Sequence, residues 1–340
     1  MNILICDDSG MARKQMMRAL PPQLSSNVQF AEHGQQALDI LEASSIDLLL
    51  LDLTMPVMDG YETLAQIRDR AIECITIVVS GDIQPEAQQR VLSLGALAFH
   101  KKPVDGDQLE KLLTDYGLLQ PAEAQVAEIE PPPPAVTEAV SQTISPKECL
   151  REVSNVAMGQ AADKLARLLN AFINLPIPRV DILSAGELAM TLESLAGGQH
   201  LAVSQGFVGR GLAAEALLST DLKGVAGLQK LMSEHNANTG DSGVGSILDA
   251  AAVLTGAFLT GIGEILDLDF SRSQSVILSA ANVSNQEWRE RVANTEDTLT
   301  IEIPYHFEEG DFVCDLLLLF PGKAGDYLLN RASYLSEGEF

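Results

Sequence analysis

The chain has no excess of positive charge anywhere along its 340 residues. Its formal charge is −25, and the partial charges are −8 for residues 1–120, −4 for 121–146 and −13 for 147–340. No segment offers the basic face that nucleic-acid binding needs, so no nucleic acid is expected as a partner. The four cysteines, Cys6, Cys74, Cys149 and Cys314, are scattered with no C-x-x-C pair, which predicts buried reduced thiols rather than disulfides or a zinc site. No uninterrupted apolar run reaches about 18 residues, so no membrane span is expected. The opening MNILICDDSG has no basic stretch ahead of an apolar one and does not read as a secretion signal. These absences together predict a cytoplasmic protein.

What is present divides into three parts. Up to about residue 118, short apolar runs alternate with helical spacing. NILIC (2–6), NVQF (27–30), IDLLLLDL (46–53), ITIVVS (75–80) and ALAFH (96–100) read as strands. Segments near 10–20, 34–43, 60–69, 85–94 and 105–116 read as helices. Five strands separated by five helices predict a doubly wound α/β domain over 1–118, a parallel sheet covered on both faces. Residues 119–146 lack aromatic and basic side chains and carry four consecutive prolines at 131–134, which predicts a Pro/Glu-rich linker. From 147 to about 335 the pattern is α+β and repeats. An offset of 97 residues sets Leu150 on Ile247, Val156 on Val253, Gly159 on Gly256 and Leu165 on Ile262. One helix plus a few antiparallel strands, used twice, is the expected architecture of this third part.

Ligands of parallel α/β sheets bind beyond the carboxyl ends of the strands. The polar residues there are Asp7, Asp8, Asp52, Ser80 and Lys102, the last followed by Pro103. Three carboxylates in one place repel unless a hard cation sits among them, and Mg²⁺ suits an oxygen-rich shell. Asp52 is then a nucleophile that becomes an acyl phosphate. Ser80 can donate to a phosphoryl oxygen and Lys102 can pair with the same group.

With Asp7-Asp8, the stretch DLTMPVMDG from Asp52, Ser80 and Lys102-Pro103 all in place, residues 1–118 resemble a CheY-type receiver domain of two-component response regulators. CheY is a familiar example of this flavodoxin-like, doubly wound fold, with strand order 2-1-3-4-5. The resemblance implies phosphorylation on Asp52 by a sensor histidine kinase. It implies Mg²⁺ bound by Asp8, Asp52 and the Thr54 carbonyl, with Asp7 in the outer part of the site. It also implies a switch in which Ser80 moves toward the phosphate and Phe99 turns inward.

The third part opens on SPKECLREVSNVAMGQAADKLARLLNAF (145–172), with Ser145-Pro146 as a helix-start signal. Leu150, Val153, Ala157, Ala161, Leu165, Leu168 and Phe172 form one apolar stripe, and Glu148, Glu152, Asn155 and Gly159 lie opposite, on the expected solvent face. Glu152-x-x-Asn155 with Pro178 resembles the signature of the CheC/CheX phosphatases of phosphorylated CheY. That resemblance implies that Asn155 positions a water and Glu152 fixes docking, acting on a phosphorylated receiver in cis or in trans. The aligned positions of the second helix are Asp249 and Ala252, and alanine cannot orient a water, so one active helix is expected. The alternative is a non-catalytic, phosphorylation-controlled binding protein in chemotaxis or flagellar-switch signalling.

Overall fold

A computed structural model describes residues 1–119, 144–196, 200–235, 243–278 and 297–337. The proline-rich stretch at 131–134 lies outside the described residues. Contacts divide the chain into two compact units, Met1–Ser80 with Gln88–Ser145, and Gly81–Ala87 with Pro146–Phe340.

The first unit follows the expected alternation. β1 (Ile3–Cys6), α1 (Gly10–Ala19), β2 (Val28–Ala31), α2 (Gly34–Ala43), β3 (Leu48–Leu51), α3 (Gly60–Asp69), β4 (Ile75–Ser80), α4 (Pro85–Ser93), β5 (Ala98–Lys101) and α5 (Gly106–Asp115) succeed one another. The five strands are parallel, in order β2-β1-β3-β4-β5. Alternate side chains of a strand point to opposite faces, and the continuous apolar runs supply both. Ile3, Ile5, Leu48, Leu50, Ile77 and Val79 pack with Met16 of α1 and Leu109 and Leu113 of α5. Leu4, Cys6, Leu49, Leu51 and Val78 pack with Leu38 of α2, Leu64 of α3 and Val91 of α4 on the other face. Helix starts are set locally. The Ser9 hydroxyl accepts from the Ala12 N–H at 3.2 Å. Asp59 and Glu62 form a reciprocal capping box that opens α3.

The second unit is built on two 24-residue helices, α6 (Pro146–Leu169) and α9 (Gly243–Leu266), which pack along each other. After α6 come β6 (Ile173–Asn174), β7 (Arg179–Leu183), α7 (Ala185–Ala196), β8 (His200–Gly209), β9 (Leu212–Asp221) and α8 (Leu222–His235). After α9 come β10 (Ser271–Arg272), β11 (Val276–Leu278), β12 (Thr298–Phe307), β13 (Phe312–Pro321) and α10 (Lys323–Glu337). The strands form one antiparallel sheet, β10-β8-β9-β13-β12-β6, with β11 also on β8 and β7 also on β12.

One expectation needs correction. Glu152, Asn155 and Gly159 are buried, not on a solvent face, whereas Leu168 of the expected apolar stripe is 42% exposed. A helix enclosed on several sides cannot be read as a two-sided amphipath. Val244–Leu266 is long and apolar enough to cross a membrane by length and composition alone. In the fold it is a core helix, with Ile247, Leu254, Phe258 and Ile262 fully buried.

Candidate functional site

The carboxyl ends of β1 and β3 bring together Asp7, Asp8 and Asp52, each offering an oxygen within 4.8 Å of the others. Asp7 and Asp52 are fully buried and Asp8 is half-buried. Lys102 follows β5 directly and is itself buried, its ammonium 2.7 Å from Asp7 Oδ2 and 3.4 Å from Asp52 Oδ1. Three carboxylates facing one ammonium, two of them fully buried and one half-buried, leave a surplus of two negative charges. Buried like charges are costly, and a divalent cation with oxygen ligands offsets that surplus. The donor set therefore fits Mg²⁺.

The backbone fixes these groups. Asp52 N–H donates to the Cys6 carbonyl at 2.9 Å, tying the end of β3 to β1. Asp7 Oδ1 accepts from Ser9 N–H at 2.9 Å, and Arg13 Nη1 donates to the Asp7 carbonyl at 2.7 Å. Gly60 opens α3 against the Asp52 carbonyl, where an added Cβ would lie only 2.3 Å from that oxygen. The other expected residues hold strand-end places. Thr54 is half-buried in the loop two residues after Asp52. Ser80 is buried at the end of β4, where its carbonyl accepts from Lys102 N–H at 2.9 Å. Phe99 pairs with Val78 and packs against the core, partly buried. Beneath the carboxylates, burial first and then the charges of Asp7 and Asp52 push the Cys6 thiol well above the ordinary range, so it stays protonated.

Glu152 and Asn155 sit three residues apart on α6 of the second unit, 4% and 7% exposed. Residues Gly81–Ala87 belong to the same unit. The Gly81 carbonyl lies against Gly159, where an added Cβ would come within 1.8 Å of it. The Gln84 side chain bonds the backbone of Ile173 in both directions. On α9 the aligned Asp249 and Ala252 are exposed. The Arg272 Nη1 donates to the Ala252 carbonyl at 2.9 Å, and its guanidinium lies over Gly256. Sequence reasoning gives no sign of Asp82, Gln84 or Arg272. Gln84 meets a partner 89 positions away, and no local pattern encodes such a pair.

Residues 3–114 match the response regulator receiver domain family. Over 119 residues the chain is 35% identical to the sensor histidine kinase RcsC of Escherichia coli, a stretch covering 34% of this chain and 12% of that protein. Over 107 residues it is 33% identical to the cell cycle response regulator CtrA of Brucella ovis, covering 32% of this chain and 45% of that one. The chain thus spans less than half the length of either curated relative. Among solved structures, FliY of Thermotoga maritima aligns with 56% of this chain and 96% of its own, at 19% identity and a TM-score of 0.43. The N-terminal domain is a CheY-like receiver domain of the response-regulator type.

Proposed function

We propose that the protein is a two-component response regulator phosphorylated on Asp52, whose CheC-like C-terminal domain hydrolyses the resulting phospho-aspartate. The observation that carries the first half is the buried Asp7, Asp8, Asp52 and Lys102 cluster at the strand ends. An Asp52 carboxylate oxygen attacks the phosphorus of a phosphohistidine or of acetyl phosphate. One O–P bond forms as the bond to the donor's imidazole or acetate breaks. Asp8, Asp52 and the Thr54 carbonyl would hold Mg²⁺, which when bound neutralises charge on the phosphoryl oxygens. Lys102 pairs with the same oxygens, Ser80 donates to one of them, and Phe99 follows the movement of Ser80.

Burial of Glu152 and Asn155 supports the hydrolase reading, because a carboxylate and a carboxamide are not enclosed in a helix without polar partners at hand. A carboxamide both donates to and accepts from water, so Asn155 can aim a water at phosphorus without acting as a base. Glu152 sets the docking geometry. The duplicated architecture is supported by the order two short strands, two long strands, helix, which follows both α6 and α9, with α7 between the short and long strands after α6. Ala252 under Arg272 supports a single working helix.

The test is the lifetime of phospho-Asp52 in the intact chain and in Asn155→Ala. The variant is expected to hold the phosphoryl group on the order of 100-fold longer, the usual cost of lost positioning. Equal lifetimes exclude cis hydrolysis. If added phosphorylated receivers then also decay at the same rate with and without the protein, the non-catalytic binding reading replaces this one.

A further inference from the structure

Gln84 has no exposed surface, and its carboxamide is wholly engaged with backbone and one carboxylate. Nε2 donates to the Ile173 carbonyl at 2.7 Å, and Oε1 accepts from the Ile173 N–H at 3.0 Å. Nε2 also donates to Asp82 Oδ1 at 3.0 Å, and that oxygen accepts the Gln84 N–H at 3.1 Å. Ile173 opens β6, the last strand of the sheet, whose other neighbour is β12. An edge strand presents unpaired N–H and C=O groups to whatever lies beside it. A carboxamide sets an N–H donor and a C=O acceptor side by side in one plane, as a peptide group does, with a second N–H to spare. Gln84 therefore stands beside Ile173 as the peptide of an adjoining strand would. Asparagine carries the same carboxamide but is one methylene shorter. Gly159 sets the neighbouring constraint, since only a residue without Cβ leaves room for the Gly81 carbonyl.

We propose that Gln84 is the positioning residue that holds the segment Gly81–Ala87 against the β6 edge within the second unit. The β6 edge would hold this segment with an amide at position 84 and release it with an aliphatic or charged residue there. Release follows because Ile173 N–H and C=O would be enclosed without partners, which is the costly half of hydrogen-bond energetics. The functional consequence rests on the hydrolase reading; the positioning itself does not.

The test is amide hydrogen exchange on the full chain, wild type against Gln84→Leu and Gln84→Glu. In Gln84→Leu the Ile173 amide is expected to lose about 10- to 100-fold of its protection. The Ile301 and Leu318 amides of the β12–β13 ladder keep theirs. Gln84→Glu retains an acceptor for the Ile173 N–H but sets a carboxylate against the Ile173 carbonyl and Asp82, and is expected to lose as much at neutral pH. Unchanged protection of Ile173 in Gln84→Leu overturns the proposal. So does an equal loss at Ile173, Ile301 and Leu318, which would make Gln84 a support of the whole unit. If Ile173 alone loses protection while phospho-Asp52 lives no longer than in wild type, positioning by Gln84 stands and cis hydrolysis fails.

Discussion

At the scale of single residues, burial decides what each group can do. Asp82 is pushed up to about 6, by burial first, against two hydrogen bonds from Gln84 and with Asp163 and Glu86 adding to the rise. A carboxyl whose pKa is higher when enclosed than its ordinary 3.8 binds a proton more tightly enclosed than released. Its penalty on holding the Gly81–Ala87 segment is complete above about pH 6 and fades as pH falls from about 6 to about 4. Protection of the Ile173 amide, corrected for intrinsic exchange, is therefore expected to rise between pH 7 and pH 5, by about 10-fold. Asp82→Asn should flatten that dependence and raise protection at pH 7; protection that falls on acidification contradicts the account. Tyr305 offers a simpler case. Its hydroxyl is fully buried with no partner among the described residues, and burial holds its pKa well above the usual phenol range. Tyr305→Phe removes an unsatisfied polar atom and should stabilise the second unit by about 1 kcal/mol, read as a higher denaturant midpoint at unchanged slope.

At the scale of elements, the first unit is far more legible than the second. The strands around Leu48–Leu51 and Ile75–Ser80 announce themselves because a parallel strand covered on both faces must be apolar at every position. Short αβ connections then bring Asp7, Asp52, Ser80 and Lys102 to one edge, so the receiver pocket can be assembled from strand ends alone. Helices α7, α8 and α10 are not legible, because their apolar residues follow directly on strand patterns that dominate the same window. The face of α6 is misread for a related reason. Periodicity records which residues are apolar, and Glu152 and Asn155 are polar yet enclosed. Arg272 and Gln84 act across 20 and 89 positions, beyond any local signal. Glycine contacts give the sharpest element-scale prediction. Gly60→Ala drives a methyl group toward the Asp52 carbonyl. It should displace the end of β3 and lower the rate of Asp52 phosphorylation by at least about tenfold, the scale of a misplaced reacting group, measured with acetyl phosphate as donor, while α3 retains its capping box. A rate indistinguishable from wild type would show that the loop yields freely.

At the scale of the whole molecule, the proposed function joins a pocket that makes an acyl phosphate to a domain that cleaves one. Tethering two such activities in one chain raises their effective concentration to about millimolar, given a flexible connection. On that proposal the phosphoryl lifetime would be set within the chain, by whatever alters α6. All of this depends on Asp52 carrying the phosphoryl group in a carboxylate-held divalent site. The most direct measurement is intact and peptide mass analysis of Asn155→Ala after incubation with acetyl phosphate, with Mg²⁺ and with a chelator in its place. One phosphoryl group on the peptide containing Asp52, present with Mg²⁺ and absent with chelator or in Asp52→Asn, is the expected result. An unmodified Asp52 in the presence of Mg²⁺, or a phosphoryl group on another residue, would contradict the account.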